Sequence, residues 1–286
     1  MHPFDTIARQ LNDEADKPTT QRVSLLRRSC PQIVRQIESD VGRSGPLIFW
    51  GECRNVDEFA GKVIVEPPIL ESIFRIARQP LHLEHPHAGL QHTYGYLFSV
   101  IETPFGKKRD RWVSDQLEQS LDLPTDVLGP TPKFGTLLAN ATWLAGSIAF
   151  RGHSRRNWLK RCLGKRVAPS LRDLAIDRLS RVRSIETIKL QPVRGRQLRV
   201  SLITDLVRLP LADHDSDGWL LVYSIEDDRN RNPELVTLFT VSDAFAESVR
   251  QRSSLRKLSD IRLRYNAWVP GFPQTPQSGT VKIISK

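Results

Sequence analysis

Residues 198–209 are LRVSLITDLVRL, residues 219–225 are WLLVYSI and residues 235–241 are LVTLFTV. β-Branched and aromatic residues dominate these stretches, and turn-forming residues separate them, which predicts three strands. No helical pattern lies between the strands, so short turns connect them and neighbouring strands pair antiparallel. The sequence therefore predicts an α+β fold with a predominantly antiparallel sheet.

The predicted sheet extends on both sides of these three strands. A further strand is expected at residues 187–190, and a helix with Ser242 as its N-cap is expected at residues 242–252. Strands at residues 261–269 and 280–284 close the chain.

The first half of the chain is predicted to begin with helices. Apolar residues recur at helical spacing over residues 20–41, where Pro31 kinks or splits the helix. Two prolines at residues 67–68 open a helix over residues 69–78. The strands predicted in this half are residues 47–50, 62–65, 94–101, 109–113 and 135–150, and the last of these runs also fits a buried helix.

These elements divide the chain into four parts. Residues 1–44 form an N-terminal helical region, and residues 45–150 form a first strand-rich part. Residues 151–184 form a basic helical or linker segment, which lies between the first part and a second strand-rich part at residues 185–286. The two strand-rich parts form either one domain or two.

Composition indicates a folded, soluble protein. Apolar residues make up 39% of the 286 positions and charged residues 26%, which lies outside the range of disordered chains. No run approaches the roughly 18 apolar residues of a membrane span, and the first residues lack the apolar core of a secretory signal. Cys30, Cys53 and Cys162 are odd in number and widely spaced, which predicts free thiols in a cytoplasmic protein.

Motifs of three enzyme classes are absent. Gly164-Lys165 lacks the following Ser or Thr of a phosphate-binding loop, and no G-x-G-x-x-G fingerprint occurs. Gly152-His153-Ser154 starts a nucleophile-elbow pattern whose second glycine is missing. These departures exclude the P-loop, dinucleotide-binding and α/β-hydrolase classes.

A cluster of histidines points to a metal site. Four of the seven histidines, His82, His85, His87 and His92, fall within eleven positions together with Glu84. Side chains two apart share a face of an extended segment, so His85 and His87 are expected to hold zinc, iron or manganese. The third ligand would be His92, Glu84 or a carboxylate from elsewhere in the chain.

This cluster gives the leading functional interpretation, a metal-dependent enzyme with its site at residues 82–92. Glu84 or Glu102 would act as the catalytic proton-transfer group, and a metal-bound water would be the nucleophile or the ligand that is displaced. The alternative is that these histidines lie on a surface loop and hydrogen-bond locally.

Positive charge is concentrated in one part of the chain. Residues 151–199 contain fifteen Lys and Arg against three acids, a net charge of +12, whereas the whole chain carries +10 and the other 237 residues therefore −2. Arg155, Arg156, Lys160 and Arg161 are predicted to contact phosphates, with Trp158 stacking on an unpaired base.

The charge pattern predicts, as the alternative function, binding of nucleic acid or another polyanion, in a protein of the RNA-processing kind. A solvated charged face explains the same residues without a ligand. A structural or interaction domain without activity is the second alternative.

Two shorter motifs are also charged. Lys107, Lys108, Arg109 and Arg111 follow a predicted hairpin turn and form either an anion-binding tip or a charged edge that prevents pairing with other chains. Residues 213–218 match the opening of a calcium loop, but an Asp-Gly turn between two strands accounts for them.

Overall fold

The computed structural model describes residues 2–42, 44–190, 198–212, 218–228, 233–251, 264–268 and 284–285. It combines helices with antiparallel sheet, which confirms the α+β prediction with N-terminal helices. The helices described are α1 (Pro3–Asp13), α2 (Thr19–Ser29), α3 (Pro31–Asp40), α4 (Pro67–Ala77), α5 (Ala88–Leu90), α6 (Asp110–Val113), α7 (Gln116–Ser120), α8 (Leu137–Ala149), α9 (His153–Leu163), α10 (Pro169–Asp173) and α11 (Asp243–Gln251). Short 3₁₀ turns lie at Pro46–Phe49, Tyr96–Phe98, Gly164–Arg166, Ile176–Arg178 and Arg264–Asn266.

The main sheet is an antiparallel meander in the second half of the chain. Its strands are β3 (Arg181–Leu190), β4 (Leu198–Arg208), β5 (Trp219–Asp227), β6 (Glu234–Val241) and the two-residue β7 (Ile284–Ser285), whereas β1 (Glu102–Thr103) and β2 (Gly106–Lys107) form a separate hairpin. The order across the main sheet is β6-β5-β4-β3-β7, and each neighbouring pair is antiparallel. Strands β3 to β6 follow one another in the chain and are neighbours in the sheet, whereas β7 pairs with β3 at the opposite edge from β6.

Helix α8 is the central element that joins the sheet to the helices. Thr136 caps it, with its Oγ accepting the backbone N–H of Ala139 at 3.0 Å. Apolar and small residues occupy every face of this helix, and almost all of its side chains are buried. A helix of this kind lies inside a protein, and α8 packs against β4, β5 and β6 as well as α3 and α9.

The N-terminal helices form because their apolar residues line one face and proline marks their starts. In α1 this face buries Ile7, Ala8 and Leu11. Cys30 separates α2 from α3, and Pro31 occupies the first turn of α3, where its missing N–H leaves no bond unmade. The helical run predicted at residues 20–41 is thus split into two helices at Pro31, which is one of the two outcomes that the sequence predicted.

Several other predicted elements are confirmed. The helix predicted at residues 69–78 is α4, and the strands predicted at 187–190, 198–209, 219–225 and 235–241 are β3 to β6. Helix α11 begins after Ser242, whose Oγ accepts the N–H of Phe245 at 3.3 Å. The hairpin turn between β1 and β2 is also present. Within the strand predicted at 261–269, residues 264–268 are described, and there the prediction is wrong, because Arg264–Asn266 form a 3₁₀ turn and Ala267 makes a single bridge to Cys53. The strand predicted at 280–284 lies outside the described residues except for residue 284, and the turn predicted at 213–218 does so except for Gly218.

The strand predictions for residues 45–150 are wrong, and this part is mainly helical. Residues 94–101 start within a helical turn, residues 109–113 contain α6, and residues 47–50 contain a 3₁₀ turn. Residues 62–65 contribute one bridge, between Val63 and Val56. The run at 135–150 is α8, which is the buried helix that the same residues also fitted, and Thr136 caps its start.

Buried apolar side chains form one continuous cluster. It includes residues of α1, α4 and α8 together with residues of β4, β5 and β6. All three cysteines are free thiols, as predicted, with Cys30 and Cys53 buried. None of the helices described is both long enough and apolar enough to cross a lipid bilayer.

Candidate functional site

His85 lies at the surface in a stack of three aromatic rings. Its imidazole is 4.8 Å from the ring of His82 and 4.6 Å from the ring of Trp268, measured between centroids, and both pairs are nearly parallel. Its Nδ1 is 3.0 Å from Oε2 of Glu52. The acid beside this histidine is therefore Glu52, which the sequence alone did not single out because it lies 33 positions away.

His87 caps the short helix α5. Its Nε2 lies 3.0 Å from the carbonyl oxygen of Leu47, and its Nδ1 accepts the backbone N–H of Leu90 at 3.4 Å. A carbonyl only accepts, so the proton is on Nε2 and the ring is neutral. Burial lowers the pKa of His87 to about 4, which agrees with this tautomer. Both ring nitrogens are thus occupied by backbone groups.

His92 lies in the interior, in the π-helical turn Gln91–Gly95 that follows α5. Its side chain is 2% exposed, and its ring stacks on Tyr96 at 4.6 Å. Burial lowers its pKa well below the usual range, and the nearby cations Arg111 and Lys108 act in the same direction. The imidazole is therefore neutral. Neither of its ring nitrogens has a hydrogen-bond partner in the described part of the chain.

The fold does not bring the predicted metal ligands together. His85 is at the surface, while His87 and His92 make the separate contacts described above. Glu84 is exposed on the preceding loop, and Glu102 is exposed on β1 opposite Lys107. Among the residues described, no three His, Cys, Asp or Glu side chains gather as a metal site. Metal-dependent catalysis at residues 82–92 stays a prediction that no contact here supports.

Helix α9 carries the residues predicted to bind nucleic acid, and it places them in different environments. Arg155 forms an ion pair with Glu226 of β5, with Nη2 and Oε1 2.8 Å apart. Arg156 forms two parallel bonds to the carboxylate of Asp177, at 2.8 and 2.6 Å. Lys160 and Arg161 are exposed. The two arginines are thus already paired with acids, and the other two cations face solvent.

Trp158 packs its ring against the protein interior. Its ring lies 4.3 Å from that of Phe49, which also contacts Phe150 at 5.8 Å. The side chain is partly buried against the hydrophobic cluster. The contact with Phe49 gives this ring a role in packing, and its stacking on a base stays a prediction.

A pocket of about 300 Å³ lies beside α9, bounded by α8, α10 and the Ile176–Arg178 turn. Its cations are Arg156, Lys160, Arg172 and Arg178, its acid is Asp177, and its apolar lining includes Trp143, Leu159, Leu174 and Ile176. We call this set of residues the basic pocket.

The charges of the basic pocket are largely uncompensated. Hydrogen bonds from Arg156 lower the pKa of Asp177, so this acid is ionised and paired at neutral pH. In the part of the chain that the structure describes, Lys160, Arg172 and Arg178 form no ion pair. All three are exposed. Three cations therefore surround one concave site with no acid assigned to them.

Arg172 and Arg178 belong to the basic pocket although the sequence alone did not identify them. They lie in α10 and in the turn after it, separated from Lys160 by the Gly164–Arg166 turn. Both fall inside the +12 stretch, so the charge count was the signal that contained them. Their proximity to α9 depends on the chain reversal, which local sequence does not encode.

No protein-family model matches this chain, and neither a curated protein nor a solved structure is significantly similar to it.

Proposed function

We propose that the protein binds single-stranded nucleic acid through the basic pocket. The observation that carries this proposal is the grouping of Lys160, Arg172 and Arg178, each exposed and without an ion pair among the described residues, around one concavity. Like charges repel, and the local positive potential that they create attracts a polyanion. Neutralising phosphates releases the counterions condensed on the strand, which favours binding further.

The shape of the pocket favours a single strand over a duplex. Its lining is partly apolar, with Leu159 and Ile176 buried and Trp143 7% exposed. The indole N–H of Trp143 donates to the carbonyl oxygen of Leu171 at 3.0 Å, so the ring is fixed in place. An unpaired base can enter such a site while its flanking phosphates contact the rim. A base within a duplex cannot.

The ion pair between Arg156 and Asp177 fits the same proposal. Asp177 is 65% exposed and lies at the rim, where its carboxylate holds the guanidinium of Arg156 beside the pocket. Exposed ion pairs contribute little to stability. A phosphate that approaches the rim can therefore compete with Asp177 for the same planar fork of donors.

Charge reversal at the pocket tests this function. We expect the triple variant Lys160→Glu, Arg172→Glu and Arg178→Glu to bind a labelled 20-nucleotide single strand at least tenfold more weakly, measured by fluorescence anisotropy. Loss of three phosphate contacts should also reduce the slope of log affinity against log salt by about 2, at about 0.7 per contact. Arg155 and Arg156 are left unchanged, because each already pairs with an acid, and reversing its charge would place two like charges side by side.

The matched control reverses three exposed cations on other faces, Arg35, Lys62 and Arg75. Both triple variants change the net charge by the same amount, so overall electrostatics affects them equally. Equal losses of affinity in the two variants would refute the assignment of binding to the basic pocket. A duplex of the same length that competes as well as the single strand would show binding of polyanions in general. Circular dichroism and melting temperatures verify that each variant is folded.

A further inference from the structure

A second pocket, of about 330 Å³, lies between the β1–β2 hairpin, α6, the start of α7 and the edge strand β6. Its charged lining consists of Lys107, Asp110 and Arg111. Its apolar lining includes Phe105, Leu117, Leu238 and Phe239, and its uncharged polar lining includes Ser114, Gln116 and Thr240. It is separate from the basic pocket, since the two share no residue.

Two cations next to this pocket have structural partners. The ammonium of Lys108 lies 2.8 Å from the carboxylate of Asp57, and both side chains are almost fully buried. Arg109 pairs with Asp5 of α1 and lies 3.7 Å from Asp110. These contacts tie the hairpin to the rest of the molecule. They account for two of the four cations that follow the hairpin turn.

Arg111 is held differently. Its guanidinium lies between two aromatic rings, 5.3 Å from the centroid of Tyr96 and 4.6 Å from that of Phe239. Its one hydrogen bond among the described residues is to Oγ of Thr237, at 3.4 Å. A guanidinium carries five N–H donors in a planar fork. Most of these donors are therefore unused on the protein side.

The acids near Arg111 do not form an ion pair with it in the described part of the chain. Asp57 and Glu58 stabilise its charge from a distance, but Asp57 is bound to Lys108 and Glu58 accepts the N–H of Tyr265 at 2.9 Å. Burial lowers the pKa of Arg111, which marks the cost of removing its charge from water. An oxyanion bonded to the unused N–H groups of Arg111 would offset that cost.

We propose that this pocket binds a small organic carboxylate with an apolar body, its carboxylate bonded to Arg111 and its body lying against Phe105 and Phe239. The planar fork of a guanidinium matches a carboxylate in two parallel bonds. Lys107 at the rim adds a second positive charge, whereas Asp110 on the wall opposes a dianion. A monoanion is therefore favoured over a phosphate monoester, and the aromatic walls favour an apolar body over a bare ion.

Isothermal titration with 4-phenylbutyrate tests this site directly, with the neutral 4-phenylbutanamide as its isostere. We expect the wild-type protein to bind the acid at least tenfold more tightly than the amide and to melt at a higher temperature in its presence. Acetate at the same ionic strength should have little effect, because it lacks the apolar body. Equal binding of acid and amide, a full effect of acetate, or stronger binding of phenyl phosphate would each overturn the proposal.

Arg111→Met separates ligand binding from a structural role. Methionine fills similar space without a charge, so we expect the variant to melt at an equal or higher temperature than wild type while losing its response to 4-phenylbutyrate. A lower melting temperature, combined with no response of the wild type to the acid, would assign Arg111 to the fold alone. Should Arg111→Met not fold, the comparison of acid and amide on wild type decides, with exposed Lys107→Met expected to weaken binding several-fold.

The charge-reversed basic-pocket variant serves as the independent control. Lys160→Glu, Arg172→Glu and Arg178→Glu should leave the response to 4-phenylbutyrate unchanged, because none of these residues lines the second pocket. Failure of nucleic-acid binding and failure of carboxylate binding are thus recorded in different measurements. A parallel loss of both in this variant would contradict the second site.

Discussion

At the residue scale, Asp40 shows how one buried carboxyl links three elements. It ends α3 and is 1% exposed, and it accepts hydrogen bonds from the hydroxyls of Tyr94 and Thr136, each at 2.6 Å. Tyr94 belongs to the helical turn after α5, and Thr136 is the N-cap of α8. Burial raises the pKa of Asp40 to about 7, although both hydroxyl bonds oppose the shift. The carboxyl is thus half protonated near neutral pH.

This shift predicts a pH dependence that a single substitution removes. Between about pH 4 and pH 7 the folded chain keeps a proton that the unfolded chain releases, so the contribution of Asp40 to stability falls as the pH rises through that window. Asp40→Asn stays neutral and can still bond to Tyr94 and Thr136. We expect the variant to match wild type near pH 4.5 and to exceed it by a few kcal/mol near pH 8, since one pKa unit corresponds to about 1.4 kcal/mol.

Urea unfolding at a series of pH values measures this difference. Taking variant minus wild type cancels the contributions of His87 and His92, whose lowered pKa values act in the opposite direction. Parallel stability curves for the two proteins across pH 4.5 to 8 would show that Asp40 is ionised throughout.

At the scale of elements, the sequence predicted best where composition and spacing agree. The strands β4, β5 and β6 are long, β-branched and bounded by turns, and they form as predicted. The apolar run that becomes α8 fits strand and helix equally, because a run buried on all sides has no periodicity. The surroundings of this run decide its conformation, because it packs between helices on one side and the sheet on the other, and a helix fits that space.

The candidate site could be predicted only in part for a similar reason. Charge density identified α9, but the partners of Arg155 and Arg156 come from β5 and from the turn after α10. The histidine cluster was identified by sequence density alone, and the fold buries His92 in the interior while it leaves His85 partly exposed at the surface. Short-range patterns report composition, whereas a site depends on which distant residues meet.

The packing of α9 predicts that Trp158→Ala weakens the fold and not the binding of nucleic acid. The ring fills space beside Phe49, and large-to-small changes in buried sites cost about 3 to 5 kcal/mol when burial is complete. For this partly buried ring we expect a loss of about 2 kcal/mol in the free energy of unfolding, measured by chemical denaturation. Affinity for a single strand, measured well below the melting temperature, should change less than twofold.

The opposite pattern would support the stacking that the sequence predicted for Trp158. In that case affinity would fall by about 1 to 3 kcal/mol for the lost base contact, with the stability unchanged. Lys160→Met on the same helix is the matched control, and it should reduce affinity without reducing stability.

At the scale of the whole molecule, the continuous hydrophobic cluster connects the N-terminal helices to the sheet. Helix α1 packs on α2 and α4, α4 packs on α3, and α8 joins α3 to β5. A core that extends through all these elements favours one cooperative unit. The four long strands and the helices would then unfold together, although they are far apart in sequence.

Hydrogen exchange tests this cooperativity through a substitution far from the sheet. Leu11 in α1 and Leu221 in β5 are both 0% exposed, and a buried Leu→Ala change costs about 2 to 5 kcal/mol. If the chain unfolds as one unit, Leu11→Ala lowers the protection of the central amides of β5 by the full loss of global stability, about tenfold for each 1.4 kcal/mol. Leu221→Ala should likewise lower the protection of the amides of α4. Mass spectrometry of peptides covering Pro67–Ala77 and Trp219–Asp227 measures both effects in the same sample. Loss of protection confined to the helices in Leu11→Ala, with β5 unchanged, would show that the sheet keeps its structure after the N-terminal helices open, and would divide the molecule into two units.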